Sequence, residues 1–231
     1  MSASIDVLDT LAAYDRWATH YDHDANPLVA ATGWVLAHLP LAVDGARVVE
    51  LGCGTGRHAA PVLAAGATAY LGVDGSPGML AQAQARVADP RAAWLTADLA
   101  ALPPCPGPRF DRALIVLVLE HVEAPAPLFA ALADWLAPGA TLRILELHPE
   151  RIAAGTAAHF VDDGVEHRFA SFAHEPAALT AALTDAGFIA AARTWHADGE
   201  LLAAVPRLAK HAGRPIVLDL TATRDAICKA G

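Results

Sequence analysis

Short apolar runs, each closed by glycine, proline or a charged residue, alternate along this chain with stretches whose apolar positions recur every three or four residues. The runs predict β-strands at Arg47–Leu51, Ala69–Asp74, Ala93–Thr96, Asp111–Leu117, Thr141–Leu147, Ile189–Trp195 and Ile216–Thr221. Between them, "SPGMLAQAQARVA" opens on a Ser76 cap with Pro77 in the first turn. "PLFAALADWLAPGA" runs apolar at helical spacing up to Pro138–Gly139, and "EPAALTAALTDAGF" is closed by Gly187. Strands alternating with helices predict an α/β fold, a doubly wound and mostly parallel seven-stranded sheet with helices on both faces. "PPCPGPR" at 103–109 reads as a loop, and no internal repeat is visible.

The 231 residues suit one domain, 1–231, and are too few for a dinucleotide domain plus a full substrate domain. A formal charge of −9 opposes broad contact with nucleic acid and leaves a small-molecule partner as the expectation. Cys53, Cys105 and Cys228 are widely spaced with no CxxC, so neither a disulfide framework nor a thiolate metal site is expected. The absence of a leader pattern and of a long uncharged apolar stretch predicts a cytoplasmic protein with no membrane partner. Lysine stands only at 210 and 229 among abundant arginine and alanine, which suits a bacterial, GC-rich coding sequence. A homodimer is compatible with all of this.

The chemistry concentrates in "VVELGCGTGRHAAPVLAAGATAYLGVDGS", Val48 to Ser76, which reads as strand, glycine turn, helix and strand. Its glycines stand at 52, 54 and 56, whereas the dinucleotide fingerprint GxGxxG needs its third at 57, where Arg57 stands. Glu50 closes the strand before the turn. A carboxylate there repels a pyrophosphate and suits a cofactor bearing an amine and a sulfonium. Asp74, ending the next strand, is placed to accept hydrogen bonds from a ribose diol with either cofactor.

"VVELGCGTGR", "LGVDGSPGML", "WLTADLAALP" and "FDRALIVLVLEHV", in that order, resemble the successive cofactor motifs of class I S-adenosylmethionine-dependent methyltransferases, over roughly residues 10–147. The resemblance implies a Rossmann-like sheet whose last strand is antiparallel and inserted beside the fifth. It implies S-adenosylmethionine as cofactor and S-adenosylhomocysteine as product. By the same carry-over, Glu50, Gly52, Cys53 and Gly54 lie near the methionine part, Asp74 with Gly75 at the ribose, and Met79 against the adenine. Asp98 and the Leu99 backbone would hold the adenine amino group, and the Leu117 carbonyl would lie near the cofactor amine.

Residues 1–40 resemble a helical lid of small-molecule methyltransferases. Tyr14, Trp17 and Tyr21 fall at i, i+3 and i+7 on one helical face, with Tyr21 at the cofactor. Methyl transfer draws mainly on alignment and needs a base only where the nucleophile carries a proton. His121 and Glu120, after the fourth strand, and His148, after the fifth, are the catalytic candidates. The segment 149–175 reads as a substrate-covering insertion. Its Phe160, Phe169 and Phe172 suit an apolar acceptor, and Arg151 and Arg168 could meet a carboxylate. His159, Asp163, His167 and His174 lack metal-ligand spacing, so no metal is expected.

The expected activity is methylation of an O, N or C atom of a small molecule, of quinone type or from secondary metabolism. Two other functions compete with it. One is a methyltransferase-fold protein that binds the cofactor for a regulatory or non-methylating role; the other is an NAD-dependent oxidoreductase, opposed by Arg57 and Glu50. "LVLEHV" stands where nucleic-acid methylating enzymes of this class carry [ND]PP[YF].

Overall fold

The computed structural model describes residues 5–7, 9–23, 26–162 and 165–226. In chain order the elements are β1 (Ile5–Val7), α1 (Thr10–Trp17), α2 (Pro27–His38), β2 (Arg47–Leu51), α3 (Ala59–Ala64), β3 (Ala69–Asp74), α4 (Pro77–Arg86) and β4 (Ala92–Thr96). They continue with β5 (Phe110–Val116), α5 (Pro125–Trp135), β6 (Leu136–Leu147), α6 (Pro149–Ala153), β7 (His159–Asp162) and β8 (Val165–Arg168). The chain closes with α7 (Pro176–Asp185), β9 (Phe188–His196), α8 (Gly199–Ala204) and β10 (Pro215–Arg224).

Seven strands form the main sheet in the order β4-β3-β2-β5-β6-β10-β9. β10 runs antiparallel to both neighbours and lies between β6 and β9, as the resemblance implies. All seven predicted strands are present, each within a few residues of its predicted limits. The order reverses between β2 and β5, and a parallel sheet opens its ligand crevice at the carboxyl ends beside such a reversal.

Val49, Leu51, Val73, Ile115, Leu142 and Ile144 carry one face of the sheet into a core closed by Phe129 and Leu132 of α5 and Leu183 of α7. On the other face Val35 of α2 packs with Leu145, Val217 and Leu201. Across β6 and β10 the Arg143 guanidinium donates to the Asp219 carboxylate at 2.6 and 2.8 Å, both buried, and the Trp195 indole N–H donates to the same carboxylate at 2.9 Å.

Three features depart from the sequence reading. α5 ends at Trp135 and β6 begins at once, so Pro138 and Gly139 lie inside a strand; Gly139 takes φ +78° beside a register shift where Phe110 and Leu136 pair. Such a bulge tolerates proline and glycine without ending the strand. Next, α1 stops at Trp17, so Tyr21 sits in a separate 3₁₀ turn and not on one continuous helical face, although its ring still meets Trp17 at 4.8 Å and Tyr14 at 6.0 Å. Third, the expected helical lid also carries a strand. β1 pairs parallel with β8, which pairs antiparallel with β7, so the N-terminal segment and the 149–175 insertion share a small sheet. Trp17, Phe160 and Phe169 are buried together under it, with Trp17 and Phe160 stacked at 5.3 Å. Asp163 and Cys228 lie outside the described residues. No helix among the described residues is long and apolar enough to cross a membrane.

Candidate active site

The glycine turn follows β2 directly. Gly52, Gly54 and Gly56 take φ of +68°, +52° and +69°, a region that disfavours side chains, and the Gly52 and Cys53 N–H groups donate to the Val73 carbonyl at 2.7 and 3.0 Å. A Cβ on Gly52 would sit 2.3 Å from Val118, whereas one on Gly54 would meet nothing within 4 Å. The first glycine is thus needed for packing, and the second leaves its backbone open to a ligand.

Asp74 fixes this geometry. Its carboxylate accepts the Gly54 N–H at 2.8 Å and the Ser76 N–H at 2.9 Å, and Ser76 in turn caps α4 by accepting the Met79 N–H at 3.1 Å. Burial raises the Asp74 carboxyl above its ordinary value, and the N–H donors pull it part of the way back. Each oxygen keeps a lone pair for a hydroxyl of a ligand.

Behind the turn, Glu50 is 1% exposed, accepting from the Tyr70 hydroxyl at 2.5 Å with His58 Nδ1 at 2.7 Å. Burial lowers His58, but the Glu50 carboxylate outweighs it and holds the imidazole above its ordinary value. Glu50 and Cys53 do not line the cavity described below, and burial pushes the Cys53 thiol far up, which leaves it unreactive.

Across the crevice, Leu117 takes φ +58°, the one positive φ outside glycine among the described residues. Glu146 of β6 explains how that conformation persists. Its buried carboxylate accepts the Val118 N–H at 3.0 and 3.2 Å and the Leu119 N–H at 2.9 Å, while the Leu117 N–H donates to Leu145 at 2.8 Å. Burial raises Glu146 to about 8. Sequence reasoning missed this residue, although a lone carboxylate inside the apolar run "LRILEL" is the kind of buried polar group that signals a fixed role.

His121 follows in a 3₁₀ turn. Its Nδ1 lies 3.1 Å from the Ala170 carbonyl, which can only accept, so Nδ1 carries the proton and Nε2 presents a lone pair. That lone pair accepts the Tyr14 hydroxyl of α1 at 2.8 Å. Burial lowers His121 and raises Tyr14, so both groups stay uncharged at neutral pH. Glu120, raised to about 7 by burial, faces a small hollow shared with Glu146, and its carboxylate is 3.9 Å from His121 Nε2.

A cavity of about 600 Å³ joins these pieces. Of the expected cofactor residues, Tyr21, Gly52, Gly54, Asp74, Gly75, Met79, Asp98, Leu99 and Leu117 line it. Of the catalytic candidates only His121 does. His148 stands at the N-terminus of α6 with Nε2 3.3 Å from the Thr194 hydroxyl, away from the cavity wall. Phe172 reaches the wall, but Arg151 is engaged with Thr156 and His211, and Arg168 with Glu166. Among the described residues no three metal-ligating side chains cluster.

α1 is docked at one rim, where Thr10, Leu11 and Tyr14 line the cavity. Asp15 accepts from the Ser76 hydroxyl at 3.0 Å and the Gly78 N–H at 2.6 Å, and Leu11 packs where a Cβ on Gly75 would stand. The cavity wall suits S-adenosylmethionine: an open glycine backbone, a carboxylate with free lone pairs for a diol, an apolar Met79 beside it, and no lysine or arginine among the described residues lining it to repel a sulfonium.

The methyltransferase domain family matches residues 48–139. The chain is 30% identical over 222 residues to an uncharacterized methyltransferase of Emericella nidulans, covering 80% of this chain and 77% of that one. It is 43% identical over 111 residues to trans-aconitate 2-methyltransferase of Methylobacterium nodulans, covering 48% of this chain and 41% of that one. The chain spans about half the length, or less, of the curated relatives with which it shares higher identity. An S-adenosylmethionine-dependent methyltransferase structure from Mesorhizobium loti is 27% identical, with a TM-score of 0.73 over 86% of this chain and all of that one.

Proposed function

Because the chain belongs to the S-adenosylmethionine-dependent methyltransferases, we propose that it transfers a methyl group to a small-molecule acceptor bound between the glycine turn and the Tyr14–His121 pair. The observation that carries this reading is one continuous cavity with Gly54, Asp74 and Asp98 on one side and His121 and Tyr14 on the other. When bound, the cofactor supplies an electrophilic methyl carbon on a sulfonium.

The chain's own residues do the rest. Gly52 and Gly54 give close backbone approach, Asp74 binds the ribose hydroxyls, Asp98 and Leu99 meet the adenine, and Met79 packs against it. Alignment of two reactants in such a cavity is worth roughly 7–11 kcal/mol. His121, neutral and held by Ala170, is the base for a nucleophile that must lose a proton, worth about 10²–10⁴-fold. Tyr14, Tyr21 and Phe172 exclude water.

The name of the Methylobacterium relative points to a tricarboxylate acceptor for that enzyme. The cavity wall here carries Asp9, Asp74, Asp98 and Glu123 with no lysine or arginine among the described residues, which speaks against carrying that acceptor over. We place the protein in the cytoplasm and its acceptor among quinone-type or secondary metabolites. Incubating the protein and S-adenosylmethionine with a pool of small metabolites tests the reading by mass spectrometry. Gain of one methyl group by a pool member together with S-adenosylhomocysteine supports it; a bound cofactor that no acceptor class consumes favours the non-methylating role.

A further inference from the structure

The charge and shape of the cavity narrow the acceptor further. Resting on the methyl-transfer reading, we propose that the cavity selects an uncharged, hydroxyl-bearing apolar acceptor and rejects anionic ones, with Tyr14 as the residue that receives the acceptor hydroxyl and His121 as the terminus for its proton.

Electrostatics supply one half of the argument. Of the four carboxylates on the cavity wall, Asp74 and Asp98 are given to the cofactor and Asp9 and Glu123 lie outside that set, while the Arg57 guanidinium, over the ring of cavity-lining Tyr21, is paired with Asp22. An anion entering would lose hydration and meet no counter-charge, so the wall discriminates by repulsion. The same field favours cations, both the sulfonium at the start of the reaction and an imidazolium at its end.

The apolar lining supplies the other half. Val116, Val118, Val122, Pro127, Leu128 and Phe172 form the wall around the polar pair. The Tyr14 hydroxyl spends its proton on His121 Nε2 at 2.8 Å and keeps its oxygen lone pairs, so a donor arriving in the cavity finds an acceptor at that oxygen. As the acceptor oxygen gains its bond to the methyl carbon and the carbon–sulfur bond breaks, the hydroxyl proton moves to the Tyr14 oxygen and the Tyr14 proton to Nε2. The products are a neutral methyl ether, a neutral thioether and an imidazolium, which releases its proton to solvent. An acceptor already ionised would need no such pair, and this cavity disfavours it.

The test uses protein saturated with S-adenosylhomocysteine and a matched pair of probes, 2-naphthol and 6-hydroxy-2-naphthoate, followed by calorimetry. The proposal expects 2-naphthol to bind about tenfold or more tighter than the carboxylate, with the gap narrowing as salt is added. Tyr14→Phe should weaken 2-naphthol about tenfold and leave 2-methoxynaphthalene, which has no hydroxyl to donate, unchanged. Equal or tighter binding of the carboxylate, equal loss of both neutral probes in Tyr14→Phe, or no binding of 2-naphthol to the loaded protein overturns the proposal. Failure of S-adenosylhomocysteine itself to bind defeats the methyl-transfer reading, a separate outcome seen before any probe is added.

Discussion

Asp15 of α1 accepts the Gly78 N–H of α4 at 2.6 Å, so α1 is fastened to the first turn of the helix whose Met79 lines the cavity. The approach is close: a Cβ at 78 would stand 2.8 Å from the Asp15 carboxylate, 3.0 Å from its backbone carbonyl and 3.2 Å from Ala18 Cβ, so α1 has to give way by a few tenths of an ångström to admit one. The position of α1 and the cavity wall are therefore linked through one short span of α4.

Gly78→Ala tests that link. Helix propensity alone favours alanine by about 1 kcal/mol, but the tight approach to the Asp15 backbone shifts α1 and weakens the Asp15–Gly78 hydrogen bond. We expect faster dissociation of S-adenosylhomocysteine in Gly78→Ala and in Asp15→Ala, with thermal stability nearly unchanged. Stopped-flow release rates equal to those of the unsubstituted protein would show that the lid does not retain the cofactor.

Asp74→Ala removes the carboxylate proposed to meet the ribose and also orphans the Gly54 and Ser76 N–H groups. Affinity for S-adenosylhomocysteine should fall at least tenfold, about 1.4 kcal/mol, with a modest loss of stability. Titration showing unchanged affinity contradicts the ribose role.

Glu146→Ala leaves two buried backbone donors unmet, at roughly 1–3 kcal/mol each, so unfolding free energy should drop by about 3 kcal/mol. The turn at Leu117 then relaxes toward negative φ, and cofactor affinity falls with it. Denaturant titration and calorimetry on the same variant check both effects.

Acid and base conditions act through different groups. Glu120 and Glu146 are raised by burial to about 7 and about 8, so the folded state holds more protons than the unfolded one. Their contribution is complete below the unfolded carboxylate value and is lost as pH rises through 7 and 8. Melting temperature should decline over that window, and Glu146→Gln should flatten the decline. His121, lowered by burial, is the neutral base at and below neutral pH, so turnover should reach its plateau on the acid side of the ordinary histidine value.

Seven strands of the main sheet were legible because each centres on a short apolar run, even where a charged residue such as Glu146 or Asp219 interrupts it, and the glycine spacing with Asp74 and Asp98 marked one wall of the cavity. β1, β7 and β8 were not, since segments such as "VEHR" and "HFVD" are short, carry polar residues, and depend on pairing with one another and on Trp17 packing against Phe160. The 3.6-residue spacing joined Tyr21 to Tyr14, but nothing in that spacing reveals that α1 ends at Trp17. Asp15, Glu146 and the pairing of Tyr14 with His121 depend on contacts spanning 27 to 107 residues of chain, which local pattern does not encode.

The cofactor assignment stands beneath every other claim, and one experiment addresses it: calorimetric titration of the protein with S-adenosylhomocysteine and, in the same buffer, with NAD⁺. The arrangement of Gly52, Gly54, Asp74 and Asp98 predicts saturable micromolar binding of the former and no heat from the latter. Binding of NAD⁺ with silence from S-adenosylhomocysteine would contradict the account.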